Sequence, residues 1–184
     1  VGLLLALLNV FTRSRILRIL IGAYVEWMRN VPALAHLFLL YFGLASIGLR
    51  LSPIAAAVIG LGLVGAAVLC DIFSSGLRSL HAGQKEAALA CGLTPYQSMV
   101  SVVLPQVLRA TLPSLGNQLI QLIKDTSIAS AIAAPEIMFY ARNLVTSTFQ
   151  TPAIYSVAIA LYASAILPLS WLVARAEKRL GKGK

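Results

Sequence analysis

Residues 84–105 read QKEAALACGLTPYQSMVSVVLP and lie between two long apolar runs. Gln84 to Ala90 is rich in helix formers. Gly92 can take the left-handed conformation that ends a helix, and Thr94-Pro95 can start another as cap and first helical residue. Tyr96 to Leu104 continues it, and Pro105 is expected to break or bend the chain before the next apolar run. The surrounding stretch, 75–111, exceeds the roughly 2–8 residues that join antiparallel helices. It is therefore expected to carry two short helices at an angle, a knob that another protein can grip.

The flanks set the solvent. Of 184 residues, 59% are hydrophobic and 11% charged, with a mean hydropathy of +0.85. A soluble domain carries about a quarter charged residues. A spanning helix needs about 20 largely apolar residues, and four stretches qualify: 25–47, 53–74, 112–134 and 153–174. Val1 to Val10 is too short to cross and has no basic region or cleavage site of a signal peptide. It is read as the tail of an incomplete first helix, which makes about five spans in an all-α membrane protein. The spans show no internal repeat, and no stretch resembles a disordered linker.

The net charge of +9 lies beside apolar runs without interleaved aromatic residues, so it reads as an orientation signal and not as a nucleic-acid surface. Arg13, Arg15 and Arg18 fall between the first two spans. Arg78, Lys85 and Arg109 fall between the third and fourth, and Arg175, Lys178, Arg179, Lys182 and Lys184 follow the last. The opposite loops hold only Arg50 and Arg142, eleven against two. The C-terminus and the 75–111 loop are thus expected in the cytoplasm.

Catalytic chemistry finds little support. There is no GxxxxGK[ST] phosphate loop and no G-x-S-x-G elbow. His36 and His81 are far apart, and Cys70 and Cys91 lack ligand spacing, so no metal site and no disulfide is expected. A channel or secondary transporter working without ATP fits the spans but leaves the exposed loop unexplained.

Ionisable residues inside spans are functional candidates. Lys124 and Asp125 fall in the fourth span, about 100° apart on a helix, so they cannot pair with each other. Each needs a partner elsewhere. An α-amino acid would offer a carboxylate to Lys124 and an ammonium to Asp125, with Thr126 and Ser127 adding hydroxyls; interhelical pairing that holds the bundle is the equal alternative. Asp71 fits either a pathway role or, preferably, a pair with Arg78. Glu136 fits a gate or binding-protein contact, or preferably a solvated helix end. His36 is expected to be a packed interhelical hydrogen-bonder, His81 a loop residue, and Pro168 at most a bend.

Glu86-Ala87-Ala88, three residues, Gly92, nine residues, Val102, one residue, then Leu104-Pro105 resembles the EAA loop of ABC importer permeases, with Val for the usual Ile. Tyr24 to Pro32 (YVEWMRNVP), His36 to Leu44, Gly83-Gln84, Leu104-Pro105-Gln106, Pro113, Gly116-Asn117-Gln118 and Lys124 to Ser127 are similar to the polar amino acid branch. Departures are Asn30-Val31 for Gly-Thr, His36 for Gln, Val68, Asp71 and Ser74 for Tyr, Glu and Arg, and His81-Ala82 for Pro-Lys. The resemblance implies one transmembrane domain over 1–184 in a bacterial inner membrane. It implies a coupling helix contacting a separate ATPase through Glu86, Ala87, Ala88, Gly92, Leu104 and Pro105. Lys124 to Ser127 would line the pathway. It further implies ATP and magnesium on that ATPase, a second permease, and an extracytoplasmic amino-acid-binding protein.

Overall fold

The computed structural model describes residues 1–80 and 82–181; His81 lies outside them. Helix α1 (Gly2–Phe11) is followed by α2 (Arg15–Asn30), which starts where the Ser14 hydroxyl accepts from Leu17 N. Val31 is extended (φ −94°, ψ 134°) and Pro32 caps α3 (Ala33–Ser46), so the two helices meet at 104°. The expected 25–47 span is therefore a broken pair. Proline has no N–H to continue the helix and disfavours the helical region for the residue before it.

Helix α4 (Pro53–Ser79) runs five residues past the expected end, with Ser52 capping Ala55 N and Pro53 in its first turn. Helix α5 (Ala82–Ala90) precedes the turn at Gly92. Helix α6 (Pro95–Ile132) is 38 residues long, and the expected break at Pro105 is absent. The turn ahead, Ser98–Val103, is π-helical, with Leu104 N donating to Met99 O five residues back. Such a widened turn is the adjustment that lets a helix pass a proline. The 75–111 region is thus mostly helix continuous with its neighbours. Helix α7 (Ile137–Thr148), not anticipated from sequence, and α8 (Thr151–Gly181), which continues through Pro168, complete the described chain.

Helix α4 is the hub. Its Ala67, Cys70, Phe73 and Leu77 pack with Ala6, Ile21, Val25 and Val107, and its Ala56 and Leu61 with Leu37, Ala129 and Ile132. Glycines set the closest approaches: a Cβ at Gly76 would collide with Thr111 Cγ2, and one at Gly116 would lie 2.5 Å from Val173 Cγ1. Small residues that let backbones approach are the usual means of packing helices in lipid. Helices α4, α6 and α8 are long and apolar enough to cross a membrane, and the α2–α3 pair makes four if counted as one. Among the described residues of α8 only Ala158 is buried, against eleven in α4. That helix leaves its surface to lipid or another chain. Cys70 is buried and Cys91 exposed, both free.

Candidate functional site

Local chemistry shapes the 84–105 knob. Gly92 has φ +83°; its N–H donates to Leu89 O, and Leu93 N donates to Ala88 O. This is the paired-bond ending of a helix that a left-handed residue makes possible. Two residues on, Thr94 Oγ1 accepts from Gln97 N (3.2 Å) while Gln97 Oε1 accepts from Thr94 N (2.9 Å), a reciprocal cap with Pro95 in the first turn. The Gly92 and Thr94-Pro95 expectations hold.

Ala88 turns inward at 6% exposure, whereas Glu86, Ala87, Leu89 and Tyr96 face out, Tyr96 at 76%. Leu104 and Pro105 are half-buried within α6. Gln106 Nε2 donates to Gln84 Oε1 (3.3 Å) and Val102 O (3.0 Å), tying α5 to α6. Ser98, fully buried at the start of the π turn, has no hydrogen-bond partner for its Oγ among the described residues.

The second cluster lies at the other end of α6, where the α-helix ends at Asp125 and tightens to 3-10 turns over Thr126–Ile132. The hydroxyls of Thr126, Ser127 and Ser130 donate to the carbonyls of Ile123, Lys124 and Ser127, each three residues back. Asp125 Oδ1 accepts from Gln121 Nε2 at 2.8 Å. Lys124 is exposed and lines a cavity of about 290 Å³ with Ser127, Met138, Tyr162 and Ile166. Thr126 lines a neighbouring cavity of about 320 Å³ with Leu122, Ala129 and Glu136. The four residues thus diverge: Asp125 is held by its own helix, while Lys124 and Ser127 face a space between elements.

Three expectations need correction. Asp71 does not pair with Arg78; it binds Arg29 Nη1 of α2 at 3.0 Å, the one ion pair among the described residues. Seven residues are about 10.5 Å along a helix, and Arg29 approaches from the side. Glu136 is no solvated end. It is half-buried and caps α7, accepting from Met138 N (2.8 Å), Phe139 N and the Tyr162 hydroxyl (2.8 Å). His36 is packed at 7% exposure, but neither ring nitrogen has a partner among the described residues. Sequence reasoning missed Tyr162 and Arg29 as partners. A charge inside the 25–47 run was the available signal for Arg29; Tyr162 gave none. Among the described residues no three His, Cys, Asp or Glu side chains gather as a metal site would need.

Apolar helices long enough to cross a bilayer, with the polar residues Lys124 to Ser127 towards the far end of one of them and an exposed helical knob at its start, describe a multi-pass membrane protein. The chain belongs to the family of binding-protein-dependent transport system inner membrane components, matched over residues 1–182, and is a permease of an ABC importer. It is 37% identical over 160 residues to the "Probable glutamine ABC transporter permease protein GlnM" of Bacillus subtilis, covering 87% of this chain and 74% of the relative. The L-cystine transport system permease protein TcyL of the same organism is 33% identical over 191 residues, covering 100% of this chain and 79% of its own length. The crystal structure of an amino acid ABC transporter with histidines matches with TM-score 0.88 and 29% identity, over 97% of this chain and 83% of that one.

Proposed function

We propose that this permease imports polar amino acids by alternating access and is driven by a separate ATPase that grips the α5–Gly92–Thr94 knob. The observation that carries this is the knob itself: a short helix closed by Gly92 and restarted at Thr94, with Glu86, Ala87, Leu89 and Tyr96 left facing outward. Glu86 is the polar contact, Ala87 the small residue of the docking face, Ala88 the inward residue that seats the helix on its own chain, and Gly92 the turn that aims the helix. Leu104 and Pro105 lie within α6, just after its π turn, so closure of the ATPase dimer is passed through them to the spans. ATP and magnesium belong to that ATPase, and this chain carries no catalytic residue.

The excess of Lys and Arg on one side puts the knob and the C-terminus in the cytoplasm, in a bundle of five spans counting α1. Two permeases, alike or different, enclose the pathway, and an external binding protein delivers the solute. Lys124 suits a substrate carboxylate and Asp125 an ammonium, with Thr126, Ser127 and Asp71 along the route. Relatives named for glutamine and cystine support an amino acid as cargo.

The test is purification in mild detergent followed by mass spectrometry of the co-purifying subunits. An ATPase in the complex, lost when Glu86 and Ala87 are replaced by bulky residues, is expected. Solute flux through this chain alone in liposomes, with no ATPase bound, would replace the proposal by an ATP-independent channel or secondary transporter.

A further inference from the structure

Glu136 is anchored before it meets Tyr162. Its carboxylate closes the first turn of α7 by accepting from Met138 N and Phe139 N, which fixes its position to the backbone. The Tyr162 hydroxyl then donates to Oε2 at 2.8 Å across 26 residues of sequence. Among the described residues this is the hydrogen bond that joins α8 to α7 or its cap. Elsewhere the two helices meet through apolar side chains such as Ile137, Ala141, Leu144, Val157 and Leu161, around a void of about 350 Å³. Such a contact resists separation but does not set a register, whereas a directional bond to a fixed carboxylate does.

The register matters because of what Tyr162 borders. The ring is one wall of the cavity that holds Lys124 and Ser127, with Ile166 one turn further along α8 and Met138 from α7 as other walls. Thr126 and Glu136 line the adjoining cavity, and Arg142 Nη2 of α7 donates to Ser130 O (3.1 Å), tying α7 to the same 3-10 segment. The space around Lys124 is thus bounded by three elements, and the Glu136–Tyr162 bond sets the distance between two of them.

We infer that Glu136 and Tyr162 form a positioning pair that sets the width of the Lys124 cavity and so selects which solutes it admits. This rests on the reading of Lys124 to Ser127 as pathway residues given under Proposed function. Neither residue needs to touch the solute. The bond acts by holding the aromatic wall at one distance from the ammonium.

The test uses the assembled transporter with its ATPase and binding protein in liposomes. Uptake of each radiolabelled proteinogenic amino acid is measured first on the unmodified protein, and the best-carried one becomes the probe. Tyr162→Phe keeps the ring and loses the hydroxyl; Glu136→Gln keeps one oxygen, which in the place of Oε2 still accepts from Met138 N and the Tyr162 hydroxyl, and gives up the bond that Oε1 accepts from Phe139 N. Tyr162→Phe is expected to change KM at least threefold, or the preference between the two best-carried amino acids by as much. Maximal rate per complex should stay within twofold. Glu136→Gln should keep both within twofold, because the hydrogen bond survives. The inference is overturned if Tyr162→Phe leaves KM and preference unchanged, if it only lowers the rate, or if it stops assembly, since the pair then serves the fold alone. It is also overturned if Glu136→Gln matches Tyr162→Phe, because charge would then matter and not the bond. An unmodified protein that carries no amino acid removes the earlier reading and this one with it.

Discussion

A methyl group added at Gly76 tests the packing of α4 on α6 directly. An ideal Cβ there would collide with Thr111 Cγ2 and lie 3.2 Å from Val107 Cγ1. Thr111 cannot simply rotate away, because its hydroxyl donates to Val107 O at 2.8 Å and the residue is buried at 4% exposure. Overpacking of this kind costs about 1–3 kcal/mol, and alanine's better helix propensity returns roughly 1 kcal/mol. Gly76→Ala should therefore destabilise by about 1 kcal/mol net. Thr111→Ser removes the offending methyl and keeps the hydroxyl bond. In the double variant the clash disappears while the propensity gain stays, so the two changes should couple favourably by about 1 kcal/mol or more; propensity cancels in the cycle. Unfolding in mixed micelles with increasing denaturing detergent, followed by circular dichroism, measures all four proteins. A coupling energy near zero would refute the close approach of α4 and α6 at this point.

Gly92 stands in open space at φ +83°, so only backbone strain opposes substitution. Gly92→Ala should cost about 1–2 kcal/mol and Gly92→Asn less, seen as faster hydrogen exchange of the α5 amides in the alanine variant; equal exchange in both would contradict the left-handed turn. The Arg29–Asp71 pair is 40% and 42% exposed, so its contribution to stability should stay within about 1 kcal/mol. Exchanging the two charges should nonetheless restore uptake lost in either single reversal, and no recovery would mean that the pair has no part in transport. Asp125→Asn keeps an acceptor for Gln121, so the complex should still purify intact while uptake falls. Loss of assembly instead would assign Asp125 to helix pairing.

The local features were legible in the sequence because they depend on residues a few positions apart. Gly92 ends α5, Thr94-Pro95 starts α6, Ser52-Pro53 starts α4, and each apolar run marks a helix. Even the 104° break in the second run had its cause in plain view at Pro32, though a count of apolar residues passes over it. The α7 helix was missed because a 12-residue segment between spans gives no length signal.

Composition and nearest-neighbour chemistry were enough for the solvent, for the long apolar helices and for the helix ends that outline the 84–105 knob. The tertiary structure alone decided which charges meet. Arg29 reaches Asp71 and Tyr162 reaches Glu136 across long stretches of chain, and the continuous α6 carries the knob into the segment that holds Lys124. Such pairings depend on how whole helices cross and slide against one another. That depends on the sum of many small packing contacts, and no short motif encodes it.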